Sequence, residues 1–473
     1  MPTRRDQLQS YQFAVQRVLS AFAYHDTDPE RPAGRRQFSV GMAGVLVAVL
    51  VAAGIGVFAL LKPGGKSNWR DGQSIIIERE TGTRFIFRGA VLYPMANYAS
   101  AELALGGPAS TTRVSASSLR GVPRGPLLGI VGAPDSLPSH KRVLGAPWTV
   151  CVRPSPGGGP AATTTTLRVG RPAAGGHDLG ADALLARAVD TGQVYLVWNR
   201  YRYEITDQRA VFAAFGMDDQ AQTVVDEAWL NTLPEGPALA PDPPPGPGTA
   251  SAAVDGARIG QVYVVSAAGA DRQYFVVADA QRLAPITQVA ANLLLADPAI
   301  ATAYPGQAPR ALPLGLAQEA AADKVVPPAP SADAPPATVP RIAPSTAPGA
   351  GVCAEFTGAT DPPRLVVDVP AGPSVASGAT TGRTVDGEAL ADRVDVEPGW
   401  AAVVEAMPSP GAGAGTRFLV TDLGVRYALA GAAEQQALGF GDVTPVRMPA
   451  GLVARIPAGP ALDPRAANRL VPG

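Results

Sequence analysis

The segment from Phe38 to Leu61 constrains this chain most, because it has 24 residues without a charged side chain. As an α-helix it would be about 36 Å long, enough to cross the roughly 30 Å hydrocarbon core of a bilayer. A secretory signal is the alternative, but its apolar stretch is shorter and would not follow a polar tail of 37 residues. The pattern therefore predicts a transmembrane helix over residues 38–61, followed by a large exported region.

The charges beside the span give only a weak indication of its orientation. Three basic residues lie near each end, so the local bias is balanced. Arg4, Arg5 and Arg17 add positive charge on the N-terminal side. Because cytoplasmic flanks are enriched in Lys and Arg, the sequence predicts a cytoplasmic N-terminus.

Small residues recur at every fourth position within the span. Such a stripe lets two helix backbones approach closely, which predicts helix packing in the membrane. Chance is the alternative, since Ala and Gly are common throughout the chain. The stripe consists of Gly44, Ala48, Ala52 and Gly56.

The tail at residues 1–37 is predicted to form an amphipathic helix. Thr3 and Asp6 fit a capping box, and apolar residues follow at steps of three and four. An isolated helix cannot bury such a stripe by itself, so it must lie on the membrane or on a partner. Its polar face mixes Arg with Gln, which favours a protein partner over lipid. The predicted docking residues are Arg4, Arg5, Leu8, Tyr11, Phe13, Val15, Val18 and Phe22.

Four segments of the exported region share one pattern: a β-rich run, a polar turn, an aromatic-bearing run and a helical stretch. They begin near Ile75, Val194, Val262 and Phe418. Short β-rich runs separated by turn residues predict β-hairpins. The predicted repeats span residues 72–140, 186–245, 255–302 and 401–473, with a Pro-rich linker at 303–350.

The repeats alternate in the segment that comes after each hairpin. The first and third continue with a Pro and a helix of small apolar residues. The second and fourth share a Phe-Gly step and end on Pro-x-Gly-Pro-Ala-Leu, at residues 234–239 and 457–462. Charged residues are only 17% of the chain, while Gly (52) and Pro (48) exceed a fifth of it. This composition favours several compact units joined by irregular segments.

The two cysteines lie in short β-rich segments outside the repeats. Cys151 falls between the first and second repeats, and Cys353 between the third and fourth. This symmetry predicts a central β-rich domain built from residues 141–185 and 351–400. Two cysteines in an exported region most simply form a disulfide, and two buried free thiols are the alternative.

No catalytic or cofactor motif is evident. Lys66-Ser67 resembles the end of a phosphate-binding loop, but the first glycine of that motif would fall at Leu60. His25, His140 and His177 have no spacing suited to a metal. A net charge of −1 gives no basic excess for nucleic acid. We predict no catalytic residue, metal, cofactor or nucleic-acid partner.

Several segments resemble the EccB family, the membrane component B of the actinobacterial type VII (ESX) secretion system. Residues 4–13 (RRDQLQSYQF) and 97–101 (NYASA) are similar to that family's motifs. So are Pro123-Arg124-Gly125, and residues 129–135 (GIVGAPD), which have Val131 where the family has Pro. Pro147-Trp148 and the two cysteines also fit. The similarity runs from residue 3 to about 462.

The resemblance implies an α+β protein. It would have an N-terminal cytoplasmic helix, one transmembrane helix and an elongated periplasmic region of four β-hairpin/helix repeats around a central β-rich disulfide-linked domain. It also implies a place in the inner membrane, with partners similar to EccC, EccD and EccE, other copies of the chain, and the lipid bilayer.

The function implied is that of a structural core subunit of the secretion complex. The tail would dock cytoplasmic-side components, including the neighbourhood of the EccC motor ATPase, while the periplasmic region would oligomerise. Members of the family have been labelled as ATPases, so an ATP-hydrolysing enzyme is one alternative, although no nucleotide motif supports it. A peptidoglycan-binding module that contacts the cell wall is another, because repeated β-hairpin units suit extended polymers.

Overall fold

Two long helices begin the chain in the computed structural model, which describes residues 3–25, 35–61, 67–155, 159, 162–343, 349–371 and 378–472. Helix α1 spans Arg4–Tyr24, and the backbone N–H of Thr3 donates to the Asp6 carboxylate at 2.9 Å, as the capping box predicts. Helix α2 spans Arg35–Leu61. Its segment Ser39–Val57 is long and apolar enough to cross a membrane, with a mean hydropathy of 2.5. Residues 26–34 of the predicted tail and 344–348 of the predicted linker lie outside the described residues.

A short 3₁₀ helix at Ser67–Asp71 precedes the first sheet. We call this sheet, together with the helix between its third and fourth strands, module R1. Strand β4 returns parallel to β1 because α3 carries the chain across the sheet, so the strand order is β3-β2-β1-β4. A second 3₁₀ helix, Ala116–Leu119, follows β4. The elements of module R1 are β1 (Ser74–Glu78), β2 (Arg84–Arg88), β3 (Val91–Met95), α3 (Tyr98–Leu105) and β4 (Ser110–Val114).

Three strands of a central sheet come next, followed by module R2 with the same order of strands as module R1. The central strands are β5 (Trp148–Pro154), β6 (Thr163–Arg168) and β7 (His177–Asp178). Module R2 consists of β8 (Leu184–Ala188), β9 (Val194–Trp198), β10 (Tyr201–Glu204), α4 (Gln208–Phe215), β11 (Thr223–Val225) and α5 (Glu227–Leu230).

Module R3 repeats the pattern and adds a fifth strand parallel to its third. A 3₁₀ helix at Pro298–Ala303 follows its main helix. Its elements are β12 (Val262–Val265), β13 (Gln273–Val277), β14 (Arg282–Ile286), α6 (Gln288–Ala296), β15 (Leu312–Pro313), α7 (Leu316–Ala321) and β16 (Asp323–Lys324).

The central sheet is then completed, and module R4 ends the fold. The added central strands are β17 (Gly351–Phe356), β18 (Arg364–Val369) and β19 (Arg393–Asp395). Module R4 consists of β20 (Ala401–Met407), β21 (Thr416–Thr421), β22 (Arg426–Leu429), α8 (Ala432–Ala437), β23 (Val446–Pro449), α9 (Ala450–Val453) and α10 (Pro464–Ala467).

All four predicted hairpins are present as antiparallel pairs, but they occupy different places in their modules. In R1 and R3 they are the first and second strands. In R2 and R4 they are the second and third, because β8 and β20 precede them. Sequence patterns do not identify β8 and β20 as first strands, since both are rich in Ala, a residue that β-strands disfavour. The predicted start of the second repeat, residue 186, falls inside β8.

The predicted linker at 303–350 differs from the structure, because much of it belongs to two modules. Strands β15 and β16 join the sheet of R3, beyond the predicted end of that repeat at residue 302. Farther along, the carbonyl of Ala334 accepts a hydrogen bond from the Tyr203 hydroxyl at 2.9 Å, and Ile342 pairs with Ala183. These contacts are with module R2, so a Pro/Ala-rich composition here marks an ordered covering segment.

The packing of the modules explains why the repeats alternate in sequence. Modules R2 and R4 each bury one sheet face in a shared core with the central sheet, which contains Trp148, Trp229 and Val404. The outer modules cover the equivalent face with their own chain. In R1 the cover includes Trp69, and in R3 it includes Ile259. The alternation therefore distinguishes inner modules from outer modules.

The outer modules pack on the inner modules in a crossed arrangement. Module R1 shares a core with R4, where α3 contacts α8 and α10. Module R3 packs α6 against α4 of R2. The order in space is therefore R1, R4, central sheet, R2 and R3, although R1 and R2 flank the same half of the central sheet in the chain.

The central sheet is the seam between the two halves of the exported region. Its strand order is β19-β6-β5-β17-β18-β7, with three strands from each half. Strands β5 and β17 are antiparallel neighbours at its middle, and each half lends an edge strand to the other. The halves thus share one sheet, as the predicted central domain requires.

A short segment runs parallel to the third strand in modules R1, R2 and R4. The N–H groups of Gly125, Gly236 and Gly459 donate to the carbonyls of residues 92, 202 and 426 in their respective modules. The segments share the pattern Pro-x-Gly-Pro-x-Leu at residues 123–128, 234–239 and 457–462. Each glycine faces a tyrosine ring of the third strand. The motif therefore closes the edge of the sheet, and glycine lets its backbone approach the ring.

Substituting Gly236 by Ala is expected to destabilise the exported region by about 1–3 kcal/mol. The added Cβ would overlap the ring of Tyr203, which is fully buried and held by its hydrogen bond to Ala334. Chemical denaturation measures the loss. Gly411→Ala is the control, because a Cβ at this exposed glycine meets nothing within 4 Å. Equal stability of the two variants would contradict the proposed packing role.

Candidate assembly surfaces

The apolar stripe of α1 is exposed along its length. Leu8 is 60% exposed, Tyr11 70% and Phe22 89%. Val15 and Val18 lie on the same side, since their spacing returns to one helix face. The helix thus presents an apolar face that no other described residue covers.

The remaining predicted docking residues do not all lie on this stripe. Phe13 is on the opposite side of α1, where the Arg17 guanidinium lies 5.7 Å from its ring centroid. Arg4 and Arg5 are exposed in the first turn. The stripe proper therefore consists of Leu8, Tyr11, Val15, Val18 and Phe22.

The small residues of α2 form one stripe along the candidate span. Gly44, Ala48, Ala52 and Gly56 are each one helical turn apart and exposed. A Cβ added at either glycine would meet nothing within 4 Å. The stripe is open for a second helix, and packing there stays a prediction.

Cys151 and Cys353 form a disulfide at the middle of the central sheet. They are register partners in the β5–β17 ladder, with their Cα atoms 4.0 Å apart. Both are almost completely buried, together with Val366 and Val369. The covalent bond therefore joins the two halves of the exported region at their seam.

The described residues do not bring metal-binding side chains together at one place. They contain no group of three or more His, Cys, Asp or Glu side chains placed to hold an ion. His140 and His177 each face one carboxylate, of Asp442 at 3.9 Å and of Asp368 at 3.7 Å. Lys66, from the rejected phosphate-loop motif, lies outside the described residues.

One buried carboxyl group lies on α3, the helix of R1 that contacts R4, and no sequence pattern identifies it. Glu102, on α3, is only 5% exposed. Burial raises its pKa to about 7, although hydrogen bonds with the Tyr98 side chain and the Ala109 backbone counteract this rise. Its Oε2 has no hydrogen-bond partner among the described residues. In the sequence, Glu102 is a single charged residue in a helix of small apolar residues, and nothing distinguishes it from a Glu that is exposed to solvent.

The free energy of unfolding of the exported region is expected to depend on pH through Glu102. Its folded-state pKa lies above the ordinary value of 4.5, so the folded state holds the proton longer than the unfolded state. Stability then falls as pH rises from about 4.5 to about 7 and levels off above that. Glu102→Gln should remove this dependence and stabilise the protein at pH 8 by up to about 3 kcal/mol.

Denaturation of the wild type and Glu102→Gln at pH 5 and pH 8 measures the effect. Asp386→Asn, at an exposed position, serves as the control. Parallel pH profiles for wild type and Glu102→Gln would show that the carboxyl is not held neutral.

Comparison with known proteins gives matches to one family. The family model described as "Type VII secretion system ESX-1, transport TM domain B" matches residues 1–471. The "ESX-3 secretion system ATPase EccB3" of Mycolicibacterium smegmatis is 30% identical, over 97% of this chain and 89% of that protein. The "ESX-5 secretion system ATPase EccB5" of Mycobacterium tuberculosis is 32% identical, over 58% of this chain and 55% of that protein.

Two solved structures have the same fold. A chain of an intact ESX-5 inner membrane complex superposes with a TM-score of 0.63 at 26% identity, covering 100% of this chain and 96% of that one. An EccB3 dimer from the ESX-3 core complex also gives 0.63 at 26% identity, covering 84% of this chain and 100% of that one. The family match, the disulfide and the one membrane-length apolar helix among the described residues agree with the resemblance in sequence. This chain belongs to the EccB family of the type VII secretion system.

Proposed function

We propose that this chain is a structural core subunit of a type VII (ESX) secretion complex in the inner membrane. One observation carries the proposal: the whole chain aligns with a subunit of an intact ESX-5 inner membrane complex. The division into an exposed helix, one candidate span and a repeat-built region supports the role. The exposed helix suits contact with a partner on the cytoplasmic side, and the candidate span suits contact with lipid. The repeat-built region suits contact with other exported chains.

Self-association of the exported region is part of the proposal. An EccB3 relative forms a dimer, and an ESX-5 relative belongs to a periplasmic assembly. In this chain, disulfide bonding at the seam and the shared cores of neighbouring modules support a stiff region able to hold partners at fixed spacing.

The orientation in the proposal has α1 in the cytoplasm and the modules in the periplasm. The Cys151–Cys353 disulfide supports it, because disulfides persist in oxidising compartments outside the cytoplasm. The arginines of α1 add to this through the preference of positive flanks for the cytoplasmic side.

The exposed stripe of α1 is expected to dock the cytoplasmic-side components, similar to EccC, EccD and EccE. Replacing Leu8 and Val18 together by Asp introduces two charges into an apolar contact, and their burial is unfavourable. The amount of chain recovered with a tagged EccC-like partner from detergent-solubilised membranes should fall by at least about tenfold.

Gln16→Asp is the control for this experiment, since Gln16 is exposed on α1 outside the apolar stripe. It should leave recovery unchanged. Wild-type recovery of the Leu8/Val18 variant would contradict docking through the stripe. Labelling of Ser10→Cys by a membrane-impermeant maleimide in intact spheroplasts would contradict the orientation instead. A clean monomer from cells that express the whole system would overturn the structural role.

ATP hydrolysis is a second candidate, and the names of the relatives favour it. No nucleotide motif in the sequence identifies a residue for it. Turnover of ATP by the purified full chain, abolished by one point substitution, would support an enzyme. Activity that follows contaminating fractions during purification would count against it.

A further inference from the structure

An apolar groove lies between modules R2 and R3, beside helix α6. Its volume is about 550 Å³, within the usual range for binding pockets. Apolar side chains dominate its walls, and Asp242 is the single charged residue among the described residues that line it. The α6 wall is formed by Val289, Ala290, Leu293 and Leu294, and Leu239 and Ile286 also line the groove.

The equivalent groove between modules R4 and R1 is filled by the chain itself. After the Pro-x-Gly-Pro-x-Leu segment of R4, residues 463–472 form α10 and an extended tail that lie on R1. Helix α10 packs against α3, and Ala467 is fully buried. The Gly129 N–H donates to the Arg469 carbonyl at 3.1 Å, and the Val471 N–H donates to the Leu127 carbonyl at 3.0 Å.

The two grooves are bounded by corresponding parts of the fold. Each lies between the segment that follows a Pro-x-Gly-Pro-x-Leu motif of an inner module and the main helix of an outer module. In R4 and R1 these are α10 and α3, and in R2 and R3 they are residues 240–245 and α6. The R4 segment therefore shows what kind of chain the second groove fits.

The chain after Leu239 does not fill its own groove in this way. Residues 243–245 are three consecutive prolines, which lack the N–H groups that a helical turn needs. They line the groove together with Ala334 and Pro335, and about 550 Å³ between these residues and α6 is not filled. No helix is formed by the described residues between α5 and β12, so nothing in the R2–R3 groove corresponds to α10.

We propose that the R2–R3 groove binds a short helical turn of another protein chain. The segment that fits has small apolar residues at the positions of Ala466 and Ala467, followed by an extended Leu-Val stretch. Small residues let the turn approach α6, where Ala290 leaves space between larger side chains. A basic residue at the position of Arg465 would complement the exposed Asp242 at the rim. Helix-in-groove contacts of this kind are a common mode of peptide recognition.

This inference does not depend on the proposed secretion role. A chain that assembles normally in the membrane complex can still fail to bind a peptide in this groove. The converse also holds, so the two experiments test different properties.

The probe is a fluorescently labelled peptide of residues 461–472, ALDPRAANRLVP. It is titrated against the full-length chain in detergent micelles and followed by fluorescence anisotropy. We expect saturable binding that a scrambled peptide does not show. Ala290→Trp fills the groove and should weaken binding at least tenfold. Ala301→Trp, at an exposed position in the 3₁₀ helix after α6, should leave binding unchanged.

The result must also separate the two grooves. A photo-reactive version of the peptide should crosslink to α6, in module R3. Crosslinks only to α3 would mean that the peptide displaces the chain's own C-terminal segment, and this would overturn the proposal. No saturable binding, or equal binding to Ala290→Trp and wild type, would also overturn it. If Ala290→Trp does not fold, the crosslinking of the wild type decides.

Discussion

Loss of the Cys151–Cys353 disulfide is expected to lower the free energy of unfolding of the exported region by about 5 kcal/mol. The cysteines are 202 residues apart in sequence, so the bond closes a very long loop in the unfolded chain. In the chain-entropy model, the stabilisation increases with the length of that loop. This effect acts through the unfolded state and adds to any change in packing around the bond.

The position of the bond makes its loss matter to the whole exported region. Strands β5 and β17 form the longest of the three pairings between the two halves in the described central sheet. Module R2 belongs to the first half of the exported region and module R4 to the second, and both pack on that sheet in one shared core. When the crosslink is absent, the seam depends on hydrogen bonds and apolar packing alone.

The double variant Cys151→Ala/Cys353→Ala measures the effect, because Ala leaves no unpaired polar group in the buried cluster. Its thermal midpoint should fall by on the order of 10 °C relative to wild type. A reductant should lower the wild-type midpoint towards that of the variant and leave the variant itself unchanged. If thiol labelling proves reduction and the wild-type midpoint does not move, the bond does not stabilise the folded chain.

The hairpins could be predicted from sequence because their stability is local. Runs such as Ile75-Ile76-Ile77 and Val194-Tyr195-Leu196-Val197 combine β-branched or aromatic residues with nearby turn residues. Strands β8 and β20, which sequence patterns do not identify as first strands, are stabilised in another way. β20 is fully buried and contains three Ala residues, so its place is determined by packing on both faces and not by propensity.

The crossed pairing of modules could not be predicted from local patterns. Module R1 packs on R4, more than 300 residues later in the chain, and no pattern within R1 identifies that neighbour. The alternation of the repeats was the one available signal, and it reflects inner and outer positions. A further copy of the Pro-x-Gly-Pro-x-Leu pattern, at residues 123–128, contributes to the family resemblance. Its place at the edge of a sheet is apparent only in the fold.

The candidate surfaces also differ in whether the sequence can predict them. The stripe on α1 follows from helical periodicity alone, and its exposure in the structure agrees with that pattern. The groove between R2 and R3 arises where distant segments meet, and the burial of Glu102 depends on how the chain packs around α3. Such features depend on the tertiary arrangement, and no spacing in the sequence indicates them.

Replacing Trp229 by Ala is expected to cost about 3–5 kcal/mol and to separate modules R2 and R3 from the central sheet. Trp229 lies on α5, is fully buried and belongs to the core that R2 shares with β5. Its Nε1 has no hydrogen-bond partner among the described residues, so its contribution is apolar packing. Removing the ring would leave a large cavity at the contact between the module and the sheet.

The quasi-equivalent residue of module R4 provides a matched comparison. Leu452, on α9, stands the same number of residues before the Pro-x-Gly-Pro-x-Leu segment and is also fully buried in the shared core. Trp229→Leu therefore installs the side chain that the other inner module uses. It should retain much of the packing and lose roughly half as much stability as Trp229→Ala. Trp198→Ala, at a partly buried residue outside this core, should cost less than either.

Denaturation followed by two probes distinguishes local loss of packing from separation of the modules. If Trp229 couples R2 to the central sheet, Trp229→Ala should split the unfolding transition. Limited proteolysis should then cut near residue 180, between β7 and β8, before the central sheet unfolds, because R2 and R3 still pack through α4 and α6 and would detach together. A single transition, shifted equally for all probes, would mean that the exported region unfolds as one unit despite the cavity. In that case the disulfide and the shared core of R4 would be sufficient to hold the two halves together.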